Sequence, residues 1–129
     1  MPDETELPLL SAEALSRLIR GQEVSCREVV EATLAQIDRF NGPLNAFALV
    51  DRDGALAAAD AADGLLRSGG EIGPLHGVPF TVKDLIDTAG VETAFGSHLM
   101  QGNVPLRDAV CVQRMKDAGA ILLGKTTTP

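Results

Sequence analysis

The stretch from Gly73 to Ser97, GPLHGVPFTVKDLIDTAGVETAFGS, contains a short run that ends at Lys83. From Val78 to Lys83 every second side chain is apolar, which predicts a strand with one apolar face. Side chains at the end of a strand in an α/β sheet project into the crevice where ligands usually bind. Burial there would lower the pKa of an amine, because desolvation disfavours its charged form. Lys83 is therefore a candidate general base, and an exposed Lys83–Asp84 charge pair is the alternative that the pattern leaves open.

The composition excludes two classes of function. The chain has 129 residues, enough for one modest domain, of which 45% are hydrophobic and only 3% aromatic. The formal net charge of -7 would repel a phosphate backbone, and few rings are present for bases to stack on, so we expect no nucleic-acid partner. The acidic N-terminus does not resemble a signal peptide, and no apolar run approaches the length of a membrane span. We therefore expect a cytoplasmic protein that does not associate with membranes.

Helical patterns fill the first third of the chain. Ser11 is placed to cap a short helix that ends at Gly21. Ser25 and Glu28 have the spacing of a capping box at the start of a longer helix, which Asn41-Gly42-Pro43 would end.

Extended and helical patterns then alternate. The apolar run 46–50 predicts a buried strand, and the alanine-rich stretch 51–67 predicts a helix. Asp108 is placed to cap a long helix that reaches Ala118 and ends at Gly119, and 120–123 predicts a last buried strand. Strands separated by helices imply an α/β fold, in which helices cover both faces of the sheet.

Several polar residues could be taken for phosphate-binding, catalytic or metal-binding residues, but their sequence context does not support those functions. GAILLGKT, over 119–126, has the spacing of a phosphate-binding loop, but its middle residues are the predicted strand, so Lys125 is interpreted as a solvated strand-end residue. His76 is interpreted as a packed or turn residue, and His98 as a loop residue without a partner. Cys26 and Cys111 have no metal-type spacing and are interpreted as reduced, half-buried thiols, so we expect neither a metal nor a cofactor.

Three motifs together resemble the amidase signature family. They are GPLHGVPFTVKD at 73–84, GVETAFGS at 90–97 and DAVCVQRMKDAGAILLGKT at 108–126. The upstream helices, an LNAF strand over 44–47 and the alanine-rich helix match in the same order. The resemblance implies the N-terminal part of the amidase-signature fold, a mixed sheet covered by helices on both faces. It also implies amide hydrolysis by a Ser–cis-Ser–Lys triad in which Lys83 is the lysine, with Asp84 in a structural or loop-orienting role.

The sequence departs from the family pattern in one respect. In the family, the bridging serine and the nucleophilic serine follow the G-K-T strand, and neither occurs before Pro129. Residues 1–129 are therefore expected to be a partial amidase-signature domain that is inactive alone. In the full-length enzyme the partner is a small-molecule amide, and exposed sheet edges predict a homo-oligomer.

Two alternatives stay open. One is the amidotransferase subunit that uses ammonia from glutamine on aminoacyl-tRNA, which has the same signature. The other is a non-catalytic truncated product. The G-K-T-T-T-P sequence over 124–129 resembles stand-alone amidases and favours the amidase.

Overall fold

The computed structural model describes residues 2–129, which form four helices and three strands. In chain order they are α1 (Ala12–Arg20), α2 (Cys26–Leu44), β1 (Phe47–Val50), α3 (Arg52–Arg67), β2 (Pro79–Lys83), α4 (Val110–Asp117) and β3 (Ile121–Thr126). Two 3-10 turns lie over Leu7–Leu9 and His98–Met100. Within residues 2–129 no helix is long and apolar enough to cross a membrane.

The sheet is mixed, and its middle strand is the last one in the sequence. The strand order is β1-β3-β2, with β1 antiparallel and β2 parallel to β3. In the parallel pair, Phe80 is opposite Leu122 but Thr81 is opposite Gly124, so the register skips Leu123. The predicted α/β class is confirmed.

Alternate residues of β3 face two separate apolar clusters, one on each side of the sheet. Ile121 and Leu123 pack with buried residues of α1, α2 and α3. Leu122 faces the other way and packs with Val82 of β2 and Val112 of α4. Helices therefore cover both faces, as the sequence pattern predicts.

The predicted helix starts of α1 and α2 are confirmed. The Ser11 hydroxyl accepts a hydrogen bond from the Ala14 N–H at 3.1 Å. Ser25 accepts from the Glu28 N–H at 2.9 Å, while the Ser25 N–H donates to the Glu28 carboxylate at 2.7 Å, which completes the capping box.

Two predictions about α2 and β1 are wrong, the end of the helix and the burial of the strand. Helix α2 continues through Pro43 to Leu44 and ends where Asn45 adopts a left-handed conformation (φ 49°). A proline in the last turn removes only one intrahelical hydrogen bond, so it does not stop the helix. Strand β1, predicted to be buried, lies at the edge of the sheet, and Ala48 on it is exposed.

The start of α4 also differs from the prediction, whereas its end agrees. The N-cap is Ala109, without a side-chain cap, and the helix has eight residues. The Asp108 carboxylate instead accepts from the Ala89 N–H at 2.7 Å and pairs with the Lys116 ammonium at 3.0 Å. Gly119 (φ 93°) ends the helix, because only glycine adopts that backbone freely.

Candidate active site

Lys83 is the last residue of β2, as the sequence predicts. Its strand partner on β3 is Thr126, and its carbonyl accepts a hydrogen bond from the Ile86 N–H at 3.0 Å. That bond closes a tight turn directly after the strand. The burial considered for Lys83 from its sequence position is not found: its side chain is exposed, so the amine at this strand end is accessible.

Asp84 is buried and holds both ends of the loop that follows Lys83. Its N–H donates to the Thr126 carbonyl at 2.9 Å, and its carbonyl accepts from the Phe95 N–H at 2.8 Å. Its carboxylate accepts from the Ala94 N–H at 3.1 Å. Among residues 2–129 no ion pair joins Lys83 to Asp84, so the charge-pair alternative is wrong and Asp84 orients the loop.

The loop returns to the sheet through the GVETAFGS motif. The Thr93 N–H donates to the Asn103 carbonyl at 2.8 Å, and the Asn103 amide donates to the Thr93 carbonyl at 2.9 Å. Gly96 has a positive φ of 68°, and a Cβ there would overlap the Thr128 hydroxyl. The loop is thus held by Asn103 through hydrogen bonds and packs closely against Thr128.

The buried lysine of this region is Lys125, for which the sequence pattern predicts a solvated position. Its side chain is 0% exposed, and its ammonium donates to the Ile86 carbonyl and to the Thr93 hydroxyl, both at 2.7 Å. Desolvation lowers its pKa, and the charges of Asp84 and Asp87 partly oppose that change.

The interpretation of Lys125 as solvated is wrong because β3 runs to Thr126 rather than ending at Leu123. The phosphate-loop pattern is correspondingly a strand over its last six residues. No local signal marked its burial, because the enclosure depends on β3 being the central strand, which the strand order decides.

A cleft of about 340 Å³ opens beside this loop, next to β1. Its polar lining consists of Asp84, Glu92, Ser97, His98 and Gln101. Ser97 caps the following 3-10 turn by accepting from the Leu99 N–H at 3.2 Å. His98 does have a partner, because its Nδ1 lies 3.2 Å from the Gln101 amide nitrogen.

The other candidate residues have structural roles. His76 is 3% exposed, and its Nε2 lies 2.9 Å from the Ala62 carbonyl, so the packed interpretation is confirmed.

Neither cysteine is half-buried: Cys111 is exposed and Cys26 is buried, and both are free thiols. Burial, and then the neighbouring Asp63 carboxylate, raises the pKa of Cys26 to about 12. The described part of the chain contains no cluster of three or more His, Cys, Asp or Glu placed to hold a metal.

Comparison with known proteins gives consistent matches. A family model described as Amidase matches residues 28–129. A glutamyl-tRNA(Gln) amidotransferase subunit from Acidothermus cellulolyticus is 44% identical over 90% of this chain and 23% of its own length. The acylamidase of Rhodococcus erythropolis is 37% identical over 98% of this chain and 26% of its own length. The crystal structure of the peptide amidase from Stenotrophomonas maltophilia superimposes with a TM-score of 0.82 at 37% identity, over 90% of this chain and 24% of that one.

The chain belongs to the amidase signature family. The resemblance inferred from the three motifs is thereby confirmed, and so is the fold that it implies. The chain spans about a quarter of the length of the relatives it matches.

Proposed function

We propose that this chain provides the lysine of an amide-hydrolysing Ser–cis-Ser–Lys site, and that this lysine is Lys83. The observation that carries the proposal is the placement of Lys83. It is the last residue of β2, its amine is accessible, and the turn after it is held by Asp84. An accessible amine at a strand end can exchange a proton with a hydroxyl brought against it.

In this mechanism Lys83 takes a proton from a bridging serine, which in turn takes one from the nucleophilic serine. The nucleophile attacks the carbonyl carbon of a carboxylic amide, and the proton returns to the leaving nitrogen as the C–N bond breaks. Water then releases the acyl group by the reverse proton relay. Both serines would come from residues outside this chain, so we propose that residues 1–129 alone do not hydrolyse amides. We also propose a cytoplasmic location and self-association of the isolated chain.

A chimera tests this proposal directly. Residues 1–129 replace the matching first quarter of the Rhodococcus erythropolis acylamidase, and hydrolysis of a chromogenic aryl amide is followed. We expect activity in the chimera and a loss of at least about 10³-fold in Lys83→Met, because removing one member of a triad disables the unit. Lys116→Met is the matched control and should retain activity, since Lys116 lies on α4 and pairs with Asp108, which precedes that helix.

Two results would contradict the proposal. One is a Lys83→Met chimera as active as its parent. The other concerns the 129-residue chain alone, which should not react with a serine-directed fluorophosphonate; labelling of one serine per molecule would show a nucleophile within the chain.

A second candidate function is that of the glutamyl-tRNA(Gln) amidotransferase subunit. It is favoured by the higher identity of a relative with that name, 44% against 37% for the acylamidase. A second chimera, built on the Acidothermus cellulolyticus protein, distinguishes the two when glutamine hydrolysis is measured. Function in that background only would favour the amidotransferase, whereas a chain active in neither background would favour the non-catalytic alternative.

A further inference from the structure

Lys125 lies directly beneath the turn that follows Lys83. Val82 is the β2 partner of Lys125, and Lys83 is the partner of Thr126, so the two lysines sit on adjacent strands one position apart. The Lys125 side chain is fully buried while the Lys83 side chain is exposed. The proposed mechanism does not use Lys125.

The ammonium of Lys125 joins the two halves of the loop. It donates to the Ile86 carbonyl, and the N–H of the same Ile86 donates to the Lys83 carbonyl. It also donates to the Thr93 hydroxyl, which in turn donates to the Val91 carbonyl at 3.2 Å. One buried group therefore connects the outgoing turn, 83–86, with the returning segment, 91–95.

The surroundings offset part of the cost of burying a cation at this position. A buried ammonium without partners would be costly, but this one has two acceptors at 2.7 Å and the nearby carboxylates of Asp84 and Asp87. Hydrogen bonds from a charged donor are stronger than those between neutral groups. Since Asp84 bonds Ala94 and Phe95, the buried charge and the buried carboxylate hold the same two segments together.

We propose that Lys125 is a positioning residue for Lys83: its buried ammonium locks the 83–86 turn to the 91–95 segment and so fixes the direction in which the Lys83 amine points. The catalytic part of this statement rests on the proposed role of Lys83, whereas the structural part does not. Fixed geometry matters for proton transfer, because a displacement of about 1 Å can lower a rate by about 10²-fold.

The structural part is tested by amide hydrogen exchange in the 129-residue chain. In Lys125→Met we expect the Ile86 and Phe95 amides to exchange about 10- to 100-fold faster, since a hydrogen bond from a charged group is lost. Amides in the middle of α2 should stay within about 2-fold. Lys125→Arg, which keeps the charge and donors, should restore much of the protection, and Lys116→Met should leave Ile86 and Phe95 unchanged.

If Lys125→Met does not fold, the variant Thr93→Val tests the same hydrogen-bond network. It removes only one acceptor of the ammonium, so we expect faster exchange at Phe95 with the fold intact by circular dichroism. Unchanged exchange at Ile86 and Phe95 in a folded Lys125→Met, or at Phe95 in Thr93→Val, would overturn the proposal.

The catalytic part is tested in the acylamidase chimera. Lys125→Met should lower kcat by about 10- to 100-fold while KM changes by less than about 2-fold, and Lys125→Arg should recover part of kcat. Equal kcat in the Lys125→Met chimera and its parent chimera would overturn the positioning role. An inactive parent chimera would instead contradict the proposed function, and the exchange measurements would still decide whether Lys125 holds the turn.

Discussion

Lys83 and Lys125 show how strand position determines the environment of a side chain. Each follows an apolar run in the sequence, and each lies near the end of its strand. Lys83 is on β2, an edge strand, and is exposed; Lys125 is on β3, between two other strands, and is buried. The difference arises from tertiary pairing and cannot be read from local sequence alone.

Lys125 should make stability depend on pH in the alkaline range. Burial lowers its pKa from 10.5, so between the lowered value and 10.5 the unfolded chain binds more protons than the folded chain. The free energy of unfolding contributed by this group therefore rises with pH across that interval. We expect the difference in unfolding free energy between wild type and Lys125→Met to shift in favour of wild type as the pH rises toward 10.5.

Urea unfolding followed by far-UV circular dichroism measures this difference, since the chain has no Trp or Tyr for fluorescence. The raised pKa of Cys26 acts in the opposite direction above its ordinary value of 9.0, but it is present in both proteins and cancels. Parallel pH profiles for the two proteins would contradict the prediction.

The two thiols should differ strongly in reactivity. Cys111 is exposed, whereas Cys26 is buried with its pKa raised to about 12, and the thiolate is the reactive form. With an aromatic disulfide reagent near neutral pH, we expect Cys111 to react at least about 100-fold faster than Cys26. Cys111→Ser should remove the fast phase, and a fast phase that persists in this variant would contradict the assignment.

At the scale of elements, the sequence predicted the start or end of a helix best where a capping side chain bonds to a nearby N–H or where a glycine adopts a positive φ. Ser11, Ser25 with Glu28, and Gly119 all behave as their sequence positions indicate. Asp108 has a side chain suited to a cap, but its carboxylate binds the Ala89 N–H and the Lys116 ammonium instead. Both partners come close to it only when the chain folds. The end of β3 was missed for a similar reason, because its last three residues are held by β1 and β2.

Gly124 illustrates a constraint between elements that no local pattern reveals. A Cβ at this position would overlap the Leu49 carbonyl and lie 3.0 Å from the Val50 Cα, both backbone atoms of β1. We expect Gly124→Ala to lower the free energy of unfolding by about 2 kcal/mol or more, because β1 must move away from β3.

Gly64→Ala is the matched control, since Gly64 is within α3 and a Cβ there meets nothing within 4 Å. This change should stabilise the protein by about 0.5–1 kcal/mol, the helix preference of alanine over glycine. Urea midpoints of the two variants relative to wild type provide the measurement. Equal effects of the two changes would show that β1 does not approach Gly124 as the structure describes.

At the scale of the whole molecule, the family motifs predicted more than periodicity did. They indicated the mixed sheet and the proposed role of Lys83, because those features depend on an arrangement shared by relatives, whereas the alternation over 78–83 predicted only that Lys83 ends a strand. Periodicity alone could not give the strand order, since β1, β2 and β3 have similar apolar runs. The enclosure of Lys125 depends on that order and was missed with it.

Removal of the last strand should abolish the fold. Because β3 pairs with both other strands, a chain ending at Gly119 would have no sheet at all. We expect this truncated chain to show no cooperative urea transition by circular dichroism, whereas removal of residues 2–6, outside every helix and strand, should leave the transition largely intact. A cooperative transition in the truncated chain would show that the helices form a stable core without the sheet.

The central position of β3 has a consequence for biosynthesis. As the polypeptide leaves the ribosome, β1 and β2 emerge first and have no partner strand until residues 121–126 follow. Residues up to 126 must therefore leave the ribosome before the two edge strands can be joined, and until then the nascent chain exposes unpaired apolar strands. We expect the time between the emergence of β1 and that of β3, which the rate of elongation sets, to govern how long these strands stay open to aggregation.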